Sequence, residues 1–131
     1  MTYLLDTNIC IYVINSKPAH VLDRFRKEQI GDIAISSITA AELAYGVAKS
    51  KSERNQRALE KFFVPLDILP VDETVIWKYG NTRALLEKRG KVIGALDMII
   101  AAHALALDAT LVTNNVKEFS RIPDLRLENW I

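Results

Sequence analysis

Three acidic residues stand where a lone carboxylate is costly. Asp6 closes the apolar run Tyr3-Leu4-Leu5 and is followed at once by Thr7-Asn8 and the apolar-periodic stretch Ile9 to Ile14. Asp97 lies within Ala95-Leu96-Asp97-Met98-Ile99-Ile100-Ala101-Ala102, which is apolar almost all round, as in a buried helix. Glu42 sits in Thr39-Ala40-Ala41-Glu42-Leu43, again among small and apolar neighbours. A carboxylate taken out of water needs a partner that offsets its desolvation. If the three converge within roughly 6 Å, each pair repels by about 3 kcal/mol at an effective dielectric of about 20, and a bound cation relieves that repulsion. With one cysteine and only His20 and His103 as imidazoles, the available ligands are hard oxygens, which favour Mg²⁺ or Mn²⁺ over zinc.

Local alternatives stand beside each reading. Asp6 also occupies an N-cap position, and Thr39 to Glu42 has the S/T-x-x-E spacing of a capping box. Asp97 is the hardest to assign to structure alone, because charged residues are almost never buried unpaired. Thr113, Asn115 and Glu118 follow the apolar run Thr110-Leu111-Val112 and extend the same acidic edge, although Asn115 and Glu118 have capping-box spacing too. His103 reads as a satisfied histidine of the core or surface. Lys49, Lys51, Arg54, Arg57 and Lys61 form one basic group, and Arg83, Lys88, Arg89 and Lys91 a second. Each is a solvated face by default and a phosphate contact as the alternative. Tyr12, Tyr45, Phe62, Phe63 and Trp77 read as core or interface residues.

The elements that must position these groups alternate between short β-like and longer helical segments. Strands are predicted at Tyr3–Leu5, Ile33–Ile35, Leu66–Leu69, Thr110–Val112 and near Arg126–Leu127. Helices are predicted over Ile9–Ile14, Pro18–Lys27, Thr39 to about Lys49, Arg57–Phe63, Asp72 to about Arg89 with Gly90 as its stop, and Ala95–Leu107. Lys49 to Asn55 reads as a turn or helix junction. Such alternation implies a mostly parallel sheet with right-handed crossovers. In open α/β sheets the chemistry gathers at the carboxyl edge, where Asp6 and Thr113 both fall.

A chain of 131 residues, half of them hydrophobic, suits one domain spanning residues 1–131. Its net charge of +1 gives no overall field for or against nucleic acid, so an RNA or DNA site must be a local patch. Cys10 cannot form an internal disulfide and no apolar run approaches the roughly 20 residues of a membrane span, so a cytoplasmic protein is expected.

Four stretches carry a family resemblance: Leu4-Leu5-Asp6-Thr7-Asn8, Ser37-Ile38-Thr39-Ala40-Ala41-Glu42-Leu43, Ile93-Gly94-Ala95-Leu96-Asp97 with Ile100-Ala101-Ala102, and Leu111-Val112-Thr113-Asn114-Asn115. In this order, and running on to the closing Leu127-Glu128-Asn129-Trp130, the chain closely resembles the PIN-domain toxins of VapC type. The resemblance implies a three-layer α/β/α domain with a mostly parallel central sheet of about five strands. It implies the toxin of a type II toxin-antitoxin system, a Mg²⁺-dependent endoribonuclease in which Mn²⁺ can substitute. Such an enzyme inhibits translation by cutting transfer or ribosomal RNA. A cognate VapB-type antitoxin and a homodimer are implied as well, the antitoxin laying a helix and tail over a groove for which Tyr12, Leu43, Tyr45, Val47 and Phe62 are candidates.

In the family the carboxylates matching Asp6, Glu42 and Asp97 hold the metal and position the attacking water, while Thr7 supports the site and Asn8 helps to order it. Thr113 belongs with these supporting residues, and Arg83, Arg89 and Lys91 are the candidate substrate contacts. The departure is at the fourth acidic position, where the wider PIN group often carries Asp and this chain has Asn115. Glu118, one helical turn on, can supply the missing carboxylate. In-line hydrolysis there leaves 5′-phosphate and 3′-hydroxyl ends. Two rival readings are a phosphoacceptor domain, which wants adjacent acids after the first strand where Thr7 follows Asp6, and a catalytically impaired PIN-like RNA-binding or scaffold protein.

Overall fold

The computed structural model describes residues 2–29 and 31–131. In chain order the elements are β1 (Tyr3–Leu5), α1 (Thr7–Asn15), α2 (Ala19–Lys27), β2 (Ile33–Ser36), α3 (Ser37–Ser50), α4 (Glu53–Phe63), β3 (Asp67–Leu69), α5 (Glu73–Lys88), α6 (Ala95–Leu107), β4 (Thr110–Val112), α7 (Val116–Phe119) and β5 (Arg126–Glu128). The sheet has five parallel strands in the order β3-β2-β1-β4-β5. From β1 the chain proceeds to β2 and β3 on one side, then crosses to β4 and β5 on the other. The order reverses between β1 and β4, and the crevice beyond their carboxyl ends is where such sheets bind ligands. Leu5 pairs with Val112 across that junction, so Asp6 and Thr113 leave the sheet side by side.

Side chains alternate between the two faces of the sheet, as strand geometry requires. Leu5, Ile33, Ile35 and Val112 join Ile9, Cys10, Val21, Leu43, Leu59 and Phe62 under α1 to α4. Leu4, Ala34 and Leu111 join Leu86, Met98, Ile100, Ala101 and Phe119 under α5, α6 and α7. Together the two cores make three layers, and each fully buried Leu or Ile contributes roughly 1.5–3 kcal/mol relative to exposure. Of the aromatic residues expected in core or interface positions, Phe62 is buried and Tyr12 and Phe63 pack at the core margin, whereas Tyr45 and Trp77 are 67% and 65% exposed.

Several boundaries differ from the sequence expectation for identifiable reasons. Helix α3 begins at Ser37, because the Ser36 hydroxyl caps it by accepting from the Ile38 N–H at 3.1 Å. Thr39 therefore lies inside the helix, and the capping box with Glu42 does not form. Ser52 starts α4 in the same manner, its hydroxyl accepting from the Asn55 N–H, so of the two options for 49–55 a short helix junction forms, in which Lys51 takes a left-handed conformation. Asp72 caps α5 as expected. Gly90, at φ +67°, reverses the chain after α5 in a conformation that disfavours any side chain.

Candidate active site

Asp6 is both the last residue before α1 and its cap. Its Oδ1 accepts from the Ile9 N–H at 2.9 Å, and the carboxylate also accepts from the Asn8 N–H and the Thr113 hydroxyl. Thr113 is fully buried at the end of β4, and its Oγ1 accepts from the Asn115 N–H at 2.9 Å, leaving its one proton for Asp6. Burial pushes the Asp6 carboxyl above its ordinary value of 3.8; the hydrogen bonds from Thr113, Ile9 and Asn8 oppose that shift, and the charge of Glu42 adds to it.

Glu42 is half-buried on the second turn of α3, where it meets α1: Thr7 Oγ1 donates to Glu42 Oε1 at 2.7 Å. Asp97 lies half-buried in the first turn of α6, near the positive end of the helix dipole. Its carboxyl is also raised above 3.8, first by burial and then by the charges of Glu118, Glu42 and Asp6 in that order. Glu118 accepts from Asn115 Nδ2 through Oε2 at 2.7 Å and from the Gly94 N–H through Oε1 at 3.5 Å. Asn115 thus spends its amide orienting Glu118, and no side-chain cap of α7 forms.

Asp6, Glu42, Asp97 and Glu118 therefore share one electrostatic environment at the carboxyl edge of the sheet. Among the described residues none of them is ion-paired. Among the described residues, no three acidic, histidine or cysteine groups already stand as joint ligands of one ion. Each carboxylate is instead held by its own donor, Asp6 by Ile9 and Thr113, Glu42 by Thr7, Glu118 by Asn115. A cation that keeps several of its waters needs only one or two carboxylates as direct ligands.

The basic candidates divide. Arg83 is committed to the surface of its own helix, donating to Glu87 Oε1 at 3.0 Å and to the Tyr79 hydroxyl at 2.6 Å. Arg89 and Lys91 are exposed on the segment that leads into α6, and neither forms an ion pair among the described residues. Arg121 fastens that segment from outside through its bond to the Val92 carbonyl. Asn114, which the sequence reading passed over, donates to the Tyr12 hydroxyl at 3.2 Å and ties the β4–α7 turn to α1.

A groove of about 650 Å³ opens from Thr7 and Glu42 along Ile11, Ile14, Val47, Arg54 and Leu59. Of the five candidate groove residues, Leu43 and Val47 line this cavity, whereas Tyr12, Tyr45 and Phe62 are not part of its wall.

This order of elements, with acids at the carboxyl edge, agrees with sequence comparison. The family model of the PIN domain matches residues 3–125. The chain belongs to the PIN-domain family. Within it, this PIN domain is 50% identical over 132 residues to "Ribonuclease VapC2" of Rickettsia felis, an alignment covering 99% of this chain and 98% of that protein. It is 43% identical over 131 residues to "tRNA(fMet)-specific endonuclease VapC" of Shigella flexneri, with 99% and 98% covered. Among solved structures it superposes on the Rickettsia felis VapBC2 complex bound to a promoter DNA fragment with a TM-score of 0.91 at 47% identity, covering both chains completely. No helix of the described residues is long and apolar enough to cross a membrane.

Proposed function

We propose that this PIN domain is the toxin of a VapBC-type toxin-antitoxin pair, a Mg²⁺-dependent endoribonuclease, with Mn²⁺ as substitute, that cuts transfer RNA in the cytoplasm and so inhibits translation. The observation that carries the reading is the set of carboxylates Asp6, Glu42, Asp97 and Glu118, none of them ion-paired among the described residues, acting on one another at the sheet's switch point. Similarity over nearly the full length to a VapC ribonuclease, at 50% identity, and to a VapC endonuclease named for tRNA(fMet), at 43%, supports the activity and the substrate class.

Asp6, Glu42 and Asp97 are the residues that would hold a divalent cation, directly or through its waters, and the ion would supply Lewis acidity that acidifies water and offsets charge at the scissile phosphate. The chain's own groups do the positioning. Hydrogen bonds from Thr113 and from the Ile9 and Asn8 N–H groups oppose the rise that burial imposes on the Asp6 carboxyl, because they favour its charged form. Thr7 fixes the rotamer of Glu42, and Asn115 turns Glu118 toward Asp97, which replaces the charge missing at position 115. Arg89 and Lys91 flank the entry to α6 and attract the RNA backbone. In-line attack of water on phosphorus, with cleavage of the bond to the ribose 3′-oxygen, leaves 5′-phosphate and 3′-hydroxyl ends.

The groove that ends at Thr7 and Glu42 fits a segment of a VapB-type antitoxin, apolar along its length and ending in a basic side chain that reaches the carboxylates. The toxin acts as a homodimer, with a higher assembly when the antitoxin is bound. The test is incubation of the antitoxin-free protein with initiator and elongator methionine tRNA in Mg²⁺, Mn²⁺ or chelator. Metal-dependent cutting that leaves 5′-phosphates is expected; 2′,3′-cyclic phosphate ends would contradict the mechanism.

A further inference from the structure

The mechanism above makes no use of a buried polar pair that spans the molecule. His103 Nδ1 and Ser36 Oγ lie 2.9 Å apart, at 1% and 0% exposure, although the residues are 67 positions apart in the chain. Around His103, helix α6 is lined by Ile100, Ala101, Ala102 and Ala104, all sealed from water. Burying a serine and a histidine in such surroundings is unfavourable unless they bond each other. The bond forms in either tautomer, with Ser36 donating to a bare Nδ1 or Nδ1–H donating to the second lone pair of Oγ.

What this pair joins is significant. Ser36 is the cap of α3, which carries Glu42; His103 is in the middle of α6, which carries Asp97. Glu42 lies six residues after Ser36, and Asp97 lies six residues before His103. At 1.5 Å per residue, each carboxylate is roughly 9 Å along its helix from the bond. Helices α3 and α6 pack against each other, and Glu42 and Asp97 are close enough to interact by charge. The two helices therefore connect the same two landmarks in opposite senses.

Apolar packing alone keys this contact weakly. The buried stretch of α6 is rich in alanine, and small side chains make shallow ridges that tolerate sliding. A slip of one residue moves a carboxylate about 1.5 Å along the axis and turns it about 100° around it, enough to spoil a ligand. A hydrogen bond is directional and tolerates a few tenths of an ångström. Buried polar groups are best attested in this register-setting role.

We propose that the His103–Ser36 hydrogen bond is a strut that sets the register of α3 against α6, so that His103 is a positioning residue for the cation site formed by Glu42 and Asp97. The inference rests on the cation-binding reading of that site given above. His103 touches neither substrate nor cation in this account; it acts through the two helices.

The test is calorimetric titration of Mn²⁺ into the free, full-length protein and three variants. His103→Phe keeps the ring volume and removes the bond; His103→Asn keeps a polar group near the Nδ1 position. The double variant with Ser36→Ala and His103→Phe leaves neither side chain of the pair orphaned and gives up only the cap bond from the Ile38 N–H, and it carries the test if the single variant does not fold. Removing the strut is expected to weaken Mn²⁺ binding roughly ten- to a hundredfold, the range for groups that support metal ligands. In RNA cleavage, kcat falls while KM is nearly unchanged, and His103→Asn recovers most of both losses. Folded His103→Phe or double variant with wild-type Mn²⁺ affinity and only a lower melting temperature would overturn the strut and leave the nuclease reading intact. A wild-type protein that binds no Mn²⁺ would overturn the cation reading and the strut with it.

Discussion

Asp97→Asn is expected to stabilise the metal-free protein at neutral pH while removing its activity. Asp97 feels the charges of Glu118, Glu42 and Asp6, and among the described residues no cation pairs with it. Two carboxylates about 8 Å apart repel by about 1 kcal/mol at an effective dielectric of about 40, a value between the protein surface and bulk water. Three such neighbours give about 2–3 kcal/mol before screening, and the half-exposed position of Asp97 reduces that to about 1.5 kcal/mol. Loss of the favourable helix-dipole interaction in the first turn of α6 costs about 0.5 kcal/mol. The net gain of about 1 kcal/mol raises Tm by about 3–5 °C for a domain of this size.

The sign with pH follows from linkage. The folded Asp97 carboxyl is raised above 3.8, so between that value and its folded pKa the native state binds more protons than the unfolded one. Stability is lost as pH rises through this window, and the penalty is complete above it. Melting curves in chelator should therefore show the Asn variant ahead at pH 7.5 and level with wild type below about pH 4. With Mg²⁺ or Mn²⁺ in excess the order reverses, because a cation that binds only the folded wild type stabilises it by mass action. An Asn variant that melts at or below the wild-type temperature at pH 7.5 in chelator would refute the repulsion reasoning.

Other perturbations isolate the supporting groups. Thr7→Val removes the donor to Glu42 and is expected to lower kcat about tenfold in single-turnover RNA cleavage, with Tm changed by only a few degrees. Thr113→Val removes a hydrogen bond that holds the Asp6 carboxyl down, so its pKa rises further and the acid limb of the pH–rate profile moves to higher pH. Lys91→Ala and Arg89→Ala raise KM for RNA and flatten its log–log salt dependence by about 0.7 each, whereas Arg83→Ala, already paired to Glu87, leaves both unchanged.

Much of this architecture can be read directly from the sequence because its signals are local. Apolar runs such as Tyr3-Leu4-Leu5 and Thr110-Leu111-Val112 mark central strands, and Asp72 and Gly90 bracket α5 by cap chemistry that acts within a few residues. Asp6 and Asp97 stand out because a carboxylate in apolar surroundings demands an explanation. Glu42 is open to misreading: Thr39 imitates a capping residue, and only the hydrogen bond that the Ile38 N–H donates to Ser36 Oγ shows that the helix has begun earlier. Asn115 and Glu118 have the spacing of a cap but use it to bond side chain to side chain. Contacts between distant segments leave no local trace. The bonds from Thr7 to Glu42, from Asn114 to Tyr12 and between His103 and Ser36 join residues 35, 102 and 67 positions apart, and they emerge only once the sheet order brings the segments together.

The most direct test of the central claim, that these carboxylates hydrolyse RNA with a divalent cation, is cleavage of total small RNA by the antitoxin-free protein and its Asp97→Ala variant. Each is incubated with Mg²⁺, Mn²⁺ or chelator, and new 5′ ends are mapped by sequencing. The account predicts discrete cuts, concentrated in transfer RNA, that require both the metal and Asp97. Intact RNA from a folded wild-type protein in both metals, or cuts that persist in the variant and in chelator, would contradict it.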